Sequence, residues 1–319
     1  MRDAASNWFA ERTSVSAQWG IDALLAAKRE RGETVSVVIP ARNESGSVGA
    51  VVAGIRTALM QEFPLVDELI VMDSLSTDAT AEVARANGAL VRSVADVRPD
   101  LGVRAGKGEA LWKSLFVSSG SILVFIDADL TEWGPHFVTG LLGPMLTERD
   151  TWLVRGFYDR LLDVAPGTRS TEGGRVTELM ARPLLAARWP DLAAVVQPLA
   201  GEWAIRRSLF EQLYVPVGYG VELATLIDTW LLHGLDAIAQ VDLGERGHRH
   251  QSVHDLGAMA LEILQVADVR SWLVERGAEQ SIELAQYERG AATTWRMRQV
   301  AVTERPPSAS VVDEDGDRC

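Results

Sequence analysis

From residue 35 onward the chain runs as short apolar stretches separated by amphipathic ones, the alternation expected of strands interleaved with helices. Residues 35–39 and the wholly apolar 122–126 predict buried strands, with 68–72 and 89–91 as two more. Pro40 stops the first and Asp73 ends the next. Residues 47–59, 79–86 and 109–117 read as helices between them. Asp78 suits the N-cap of the second helix and Gly88 its C-terminal stop. The pattern predicts an α/β fold with a doubly wound, mainly parallel sheet. Ligands of such sheets bind beyond the carboxyl ends of the strands, so the polar residues that follow each strand are the candidates for chemistry.

The flanking regions are less regular. Residues 1–33 read as a helical lead-in with Ile21, Leu24 and Leu25 as a small apolar stripe. Later, 153–158, 203–205 and 237–243 predict strands, and 175–187 and 221–233 predict helices, the latter stopped by Gly234. Residues 255–273 carry a helical apolar pattern through Leu256, Met259, Ile263 and Val266. From Thr303 the chain is rich in Pro, Ser and Asp, which predicts a disordered tail over 303–319. The main body thus divides into a half over 34–150 and a half over 151–302.

Composition narrows the function classes. With 319 residues, 47% of them hydrophobic, the chain can bury a sizeable core. A formal net charge of −13 argues against nucleic acid or an anionic membrane as the main partner. An anionic substrate would need a local positive pocket. The single cysteine, Cys319, excludes a disulfide framework and a thiolate metal site, which fits a reducing cytoplasm. The first ten residues contain Asp3 and no apolar core of a secretory signal. No apolar run approaches the ~18 residues that a membrane span needs. Only three lysines occur, Lys28, Lys107 and Lys113.

The strongest chemical feature is Asp127-Ala128-Asp129, directly after an apolar strand. Alternate residues leaving a strand can bring two carboxylates to one cleft, where hard oxygens suit Mg²⁺ or Mn²⁺ on a diphosphate. An isolated Asp-X-Asp more often only ends a strand, but its neighbours change that balance. Pro40, Ala41, Arg42, Asn43 and Glu44 follow the first strand, and Asp73, Ser74 and Asp78 follow the second. Either group alone is turn chemistry; together they sit where a nucleoside would lie, with Glu44 or Asp73 as acceptors for ribose hydroxyls. Gly106-Lys107-Gly108 opens a helix, so the glycines would let backbone approach a ligand and the helix start would favour an anion. It lacks the P-loop spacing, and an ordinary turn is the equal alternative. Gly173-Gly174-Arg175-Val176-Thr177 repeats the logic for a phosphate or carboxylate, against a glycine hinge with an exposed arginine. His248, His250 and His254 cluster after a strand, and a neutral imidazole there would complete the coordination of a metal held by Asp129. Surface or capping histidines are the alternative.

In order along residues 35–250, the segments VSVVIPARNE, VDELIVMDSLSTDAT, GKGEALWKSL, VFIDADL, GGRVTELMARPLLAA, QPLAGEWA, GYGVELATLIDTW and LDAIAQVDLGERGHRH resemble the actinobacterial glucosyl-3-phosphoglycerate synthases. The glycine–arginine, GYGVE and histidine segments are the more family-specific. The resemblance implies a GT-A-like sheet with a helical and loop C-terminal part that binds the acceptor. It implies a retaining transfer of glucose from UDP-glucose to the 2-hydroxyl of 3-phosphoglycerate, with Mg²⁺ or Mn²⁺, by a cytoplasmic homodimer. Residues 34–150 would be the Rossmann-like half that binds the sugar nucleotide. Pro40, Ala41, Asn43, Glu44, Ser74, Lys107, Asp127 and Asp129 would bind the donor. Asp129 and His248 would hold the metal, and Gly174, Arg175, Val176, Thr177 and His250 the acceptor. Glu222 would face the donor sugar, its alternative being a favourable charge in the first turn of a helix. Asp129, Glu222 and Lys107 form the implied catalytic set, with the metal and Lys107 stabilising the departing diphosphate.

Two positions depart from that family, which often has Ser where this chain has Ala128 and Asn where it has His250. The related mannosyl-3-phosphoglycerate synthases, which use GDP-mannose, are the alternative reading. A nucleotidyltransferase would need a glycine-rich basic signature after the first strand, which is absent. A non-catalytic sugar-nucleotide-binding protein would tolerate loss of Asp129 or His248.

Overall fold

The computed structural model describes residues 3–165, 168–170, 174–247, 253–271, 280–288 and 294–311. Helix α1 (Asp3–Arg12), strand β1 (Thr13–Val15) and α2 (Ile21–Arg31) lead into β2 (Val35–Ala41), α3 (Val48–Arg56), β3 (Glu68–Asp73), α4 (Thr80–Ala86) and β4 (Leu90–Ser93). There follow α5 (Lys107–Ser114), β5 (Ile122–Phe125), α6 (His136–Thr147), β6 (Leu153–Ala165), β7 (Thr168–Ser170), α7 (Arg182–Arg188) and β8 (Trp203–Arg206). After α8 (Arg207–Phe210) and β9 (Val215–Pro216) come α9 (Val221–His233), β10 (Ile238–Gly247) and α10 (Val253–Arg270). A hairpin of β11 (Gln280–Glu288) and β12 (Thr294–Val302) and the short β13 (Glu304–Arg305) complete the strands.

The main sheet runs β1-β10-β6-β8-β5-β2-β3-β4, with β7 paired to β6 off this path. Along the path every pair is parallel except those of β8, which is antiparallel to both β5 and β6. The apolar runs are buried on both faces, as their composition requires. Val37, Ile39 and Val124 join the core on one face, with α3 and α6. Val38, Leu123 and Phe125 join the other, with α5 and α9. Because β8 pairs with β5, the two halves expected at 34–150 and 151–302 share one continuous sheet.

Four features depart from the pattern reading. Pro40 lies inside β2 rather than ending it; it is beyond the last pair with β5, Val38 to Phe125, so no bond to that neighbour is lost. The lead-in contributes β1, a three-residue edge strand beside β10 and too short to show a period. The C-terminal part, expected as helix and loop, includes the antiparallel β11–β12 hairpin. Finally, 304–311 belong to the fold rather than to a disordered tail. Arg305 pairs with Val215, its guanidinium meets the buried Glu109 at 2.6 Å, and Trp112 Nε1 donates to the Pro306 carbonyl at 2.9 Å. Pro and Ser content could not reveal a buried ion pair. Among the described residues no helix is long and apolar enough to cross a membrane.

Candidate active site

A cavity of about 370 Å³ opens beyond the carboxyl ends of β2, β3 and β5, where the doubly wound topology predicts it. Its floor is an alternation of opposite charges. Lys107, at the first position of α5, lies 2.6 Å from Asp127 Oδ1 and 2.9 Å from Glu222 Oε1. Burial alone would lower the Lys107 pKa, but the two carboxylates outweigh it and hold the ammonium above its ordinary range. Arg246, on β10, donates from Nη2 to Asp127 Oδ2 at 3.0 Å and to Asp129 Oδ1 at 2.9 Å. Its Nη1 donates to the Tyr158 hydroxyl at 2.8 Å and stands 3.5 Å from Glu202 Oε1. Burial works against this guanidinium too, yet Glu202 and its other neighbours keep it charged. Glu202 is fully buried, and burial pushes its carboxyl above the usual range despite Arg246. Glu222 begins α9, whose first turn Arg155 anchors by donating to the Glu222 carbonyl and the Thr225 hydroxyl. Burial beneath that turn brings the Arg155 guanidinium down to about 9.

The wall formed by the β2 and β3 loops carries Pro40, Ala41, Glu44 and Ser74. Asn43, expected to contact the nucleotide, is not on the cavity wall. It takes a left-handed conformation (φ 57) and staples the two loops: its Oδ1 accepts from Thr77 N at 2.8 Å and its own N–H donates to Ser76 Oγ at 3.0 Å. Nearby, Asp73 Oδ1 is buried without a hydrogen-bond partner among the described residues.

Of the two readings of the glycine–lysine segment, the structure favours the turn. Gly106 and Gly108 were expected to let backbone approach an anion, but they approach the chain itself. A Cβ at Gly108 would stand 1.8 Å from the Pro216 carbonyl and one at Gly106 2.2 Å from that of Val217. The helix-start amides of Gly108 and Glu109 donate to Gly218 O and Val217 O at 3.3 and 2.9 Å. The turn lines the cavity with Gly106 and Lys107, and not with the Gly108 and Glu109 amides.

Gly174 (φ 81), Arg175, Val176 and Thr177 line the same cavity from a helix start, and Leu256, Met259 and Ile263 of α10 close it. The first half therefore supplies Lys107, Asp127 and Asp129, and the second supplies Glu222, Arg246 and the 174–177 turn. Gly173, His248 and His250 lie outside the described residues. The chemistry present fits a divalent cation. Asp129 offers hard oxygens and is the more open carboxylate, its side chain 32% exposed against 21% for Asp127. Gly247 packs so closely on the Asp129 loop that a Cβ would stand 2.4 Å from Thr131 Oγ1. Among the described residues no three His, Cys, Asp or Glu side chains gather as a ligand set.

Sequence reasoning gave Arg246, Glu202, Tyr158 and Tyr219 no role. Arg246 lies inside a strand rather than after one. Its signal was a charge near the end of a mostly apolar run, two residues before His248.

Comparison with known proteins decides the family. The Glycosyl transferase family 2 profile matches residues 36–213. Glucosyl-3-phosphoglycerate synthase of Mycobacterium tuberculosis strain H37Rv is 46% identical over 299 residues, covering 91% of this chain and 89% of that protein. The chain belongs to the glucosyl-3-phosphoglycerate synthase family. The Petrotoga mobilis member is 42% identical over 246 residues, covering 77% of this chain and 76% of its own. The crystal structure of the M. tuberculosis enzyme with Mn²⁺, UDP and phosphoglyceric acid matches with a TM-score of 0.80 at 45% identity, over 91% of this chain and 94% of that one. The same enzyme with Mg²⁺ and UDP gives 0.82 at 44% identity, over 93% and 97%. The fold is thus the family's, and the protein is a glycosyltransferase.

Proposed function

We infer that this glycosyltransferase moves glucose from UDP-glucose to the 2-hydroxyl of 3-phosphoglycerate, with retention at the anomeric carbon and with Mg²⁺ or Mn²⁺ bound. The observation that carries this reading is one cavity lined both by Lys107, Asp127, Asp129 and Glu222 and by Gly174–Thr177. A two-substrate reaction needs both sides at once. Relatives of known structure bind UDP-glucose and phosphoglyceric acid.

In this reading Pro40, Ala41, Glu44 and Ser74 border the nucleoside, with Glu44 or Asp73 as acceptor for ribose hydroxyls. Lys107 stays charged and faces the diphosphate, whose negative charge grows as the bond to the sugar breaks. Glu222, fixed by Lys107 and the Arg155-anchored turn, faces the donor sugar. The 174–177 turn holds the acceptor's anionic groups with Arg175, Thr177 and backbone amides, and His250 contacts the acceptor. Asp129 and His248 would hold the cation, which when bound neutralises charge on the leaving diphosphate. A front-face route follows, with the leaving phosphate oxygen taking the acceptor's proton. The working form is a cytoplasmic homodimer, which light scattering of the purified chain would show as twice the chain mass.

The deciding assay supplies UDP-glucose or GDP-mannose with 3-phosphoglycerate and Mg²⁺, and identifies the product by mass. UDP-glucose is expected to be consumed to a hexosyl phosphoglycerate and GDP-mannose to be left; consumption of neither overturns the reading. Asp129→Ala should lose transfer by about 100-fold or more with its fold intact, since an electrostatic group acting on the transition state contributes on that order. Full activity of that variant with metal present would remove Asp129 from the site.

A further inference from the structure

The turn that brings Tyr219 and Glu222 to the cavity is gripped from both sides. On one side it accepts from the backbone of α5, through Gly218 O and Val217 O. On the other, α10 meets the two glycines that flank Tyr219. A Cβ at Gly220 would stand 2.5 Å from Val266 Cγ2, and one at Gly218 would stand 1.8 Å from Glu262 Oε1. Glu262 and Val266 are one helical turn apart, so a single face of α10 makes both contacts.

Val266 against Gly220 is ordinary apolar packing. Glu262 against Gly218 is not, because a largely buried carboxylate needs a reason to be there. Its reason is the start of α9: the carboxylate stands against Gly218, beside the backbone N–H groups of Tyr219 and Gly220, whose polarity favours its charged form and which precede Val221 and need partners outside their own helix. A side chain from a different helix thus closes the corner from which Glu222 reaches Lys107.

We propose that Glu262 is a positioning residue for the donor side of the site, its carboxylate holding the Gly218–Gly220 corner so that Tyr219 and Glu222 face the sugar nucleotide. The kinetic consequence rests on the transfer reading above; the contact itself does not.

The groups facing this carboxylate are Glu222 from α9, Tyr219 from the corner, and Arg298 from β12 and Asp255 from α10 itself along a shared groove. Arg298 is already paired with Asp255 at 2.8 Å. Burial pushes the Glu262 carboxyl up, the Tyr219 and Gly220 amides pull it back, and Glu222 adds to the rise, leaving it at about 7. Above that pH the ionised carboxylate is attracted more strongly to the corner amides; below it the grip weakens.

The test compares the full-length wild type with Glu262→Gln between pH 6 and pH 8.5. Wild-type KM for the donor is expected to fall several-fold as pH rises across this range, while KM for the acceptor stays flat. Glu262→Gln should show a flat donor KM, about tenfold above wild type at pH 8, as loss of the carboxylate's charge beside the corner amides implies. A donor KM within about twofold of wild type, or donor and acceptor KM rising together, overturns the proposal. If the wild type itself transfers no sugar, the transfer reading fails separately. Hydrogen exchange then decides on Glu262: faster exchange at the Tyr219 and Gly220 amides of Glu262→Gln supports it, and unchanged exchange overturns it.

Discussion

Lys107 holds its charge because two carboxylates share it, and that fixes what its removal should do. A lysine whose folded pKa is raised contributes stability that is fully present below the ordinary 10.5 and is lost only as pH rises beyond it. Its pairs are therefore intact across the neutral range, and pH dependence near 7 has to come from elsewhere, with Glu262 the titrating group at hand. Lys107→Met leaves Asp127 and Glu222 facing one another without the cation between them. Breaking a mostly buried pair in this way costs about 3 kcal/mol, and kcat/KM should fall by about 100-fold. A thermal melt and initial rates at pH 7.5 check both; a melting point and rate close to wild type would mean that the geometry does not matter. Lys107, Asp127, Asp129 and Glu222 were legible in the sequence because each sits in a short motif at a strand or helix end. Arg246 was not, since a charged residue inside a strand reads as a surface position until the fold shows it between two aspartates. What Asn43 does beside the site was not legible either, because its side chain turns back to join two loops.

The α5 turn shows how a glycine pattern can be read correctly as close approach and wrongly as to what approaches. Gly108 faces the Pro216 carbonyl, a backbone atom that cannot swing aside. Gly108→Ala must therefore push the 216–218 strand-turn away, moving Lys107 and Glu222 relative to each other. Overpacking of this kind typically costs about 1–3 kcal/mol. The expected result is a lower melting point and a raised donor KM with little change for the acceptor. Gly20→Ala is the control: it lies in open space with φ −70, so its melting point should match wild type. Equal effects at the two positions would contradict the contact. Elements with a long period, such as α9 over Val221–His233, were legible to the residue. The sense of β8 was not, because an apolar strand carries no mark of which way it runs beside β5. The β11–β12 hairpin was also lost, since its pairing is set by contacts across the turn rather than by a run of apolar residues.

For the molecule as a whole, alternating apolar runs were enough to give the sheet and the end of it that binds ligands. They could not show that the two halves join in one sheet through β8 and β5, or that the last described residues return to the first half. That return is structural: Glu109 is fully buried in the first turn of α5, and Arg305 meets both of its oxygens, at 2.6 and 2.7 Å. The remaining cation near Glu109 is Lys113 at 3.7 Å, whose own charge burial disfavours. Ending the chain at Val302 removes Arg305 and the Pro306 carbonyl that accepts from Trp112. A buried carboxylate left in this state costs about 3–5 kcal/mol, which at roughly 2 °C per kcal/mol for a chain of this size lowers the melting point by about 6–10 °C. Lys107 lies two residues before Glu109 on the same helix, so the donor site should loosen along with it. Arg305→Met separates the ion pair from the rest of the segment, because it keeps Pro306 in place. It should reproduce most of the melting-point loss and raise donor KM more than acceptor KM. If the truncated chain melts with the wild type, the C-terminal segment is a passenger on α5 and the burial of Glu109 has another cause.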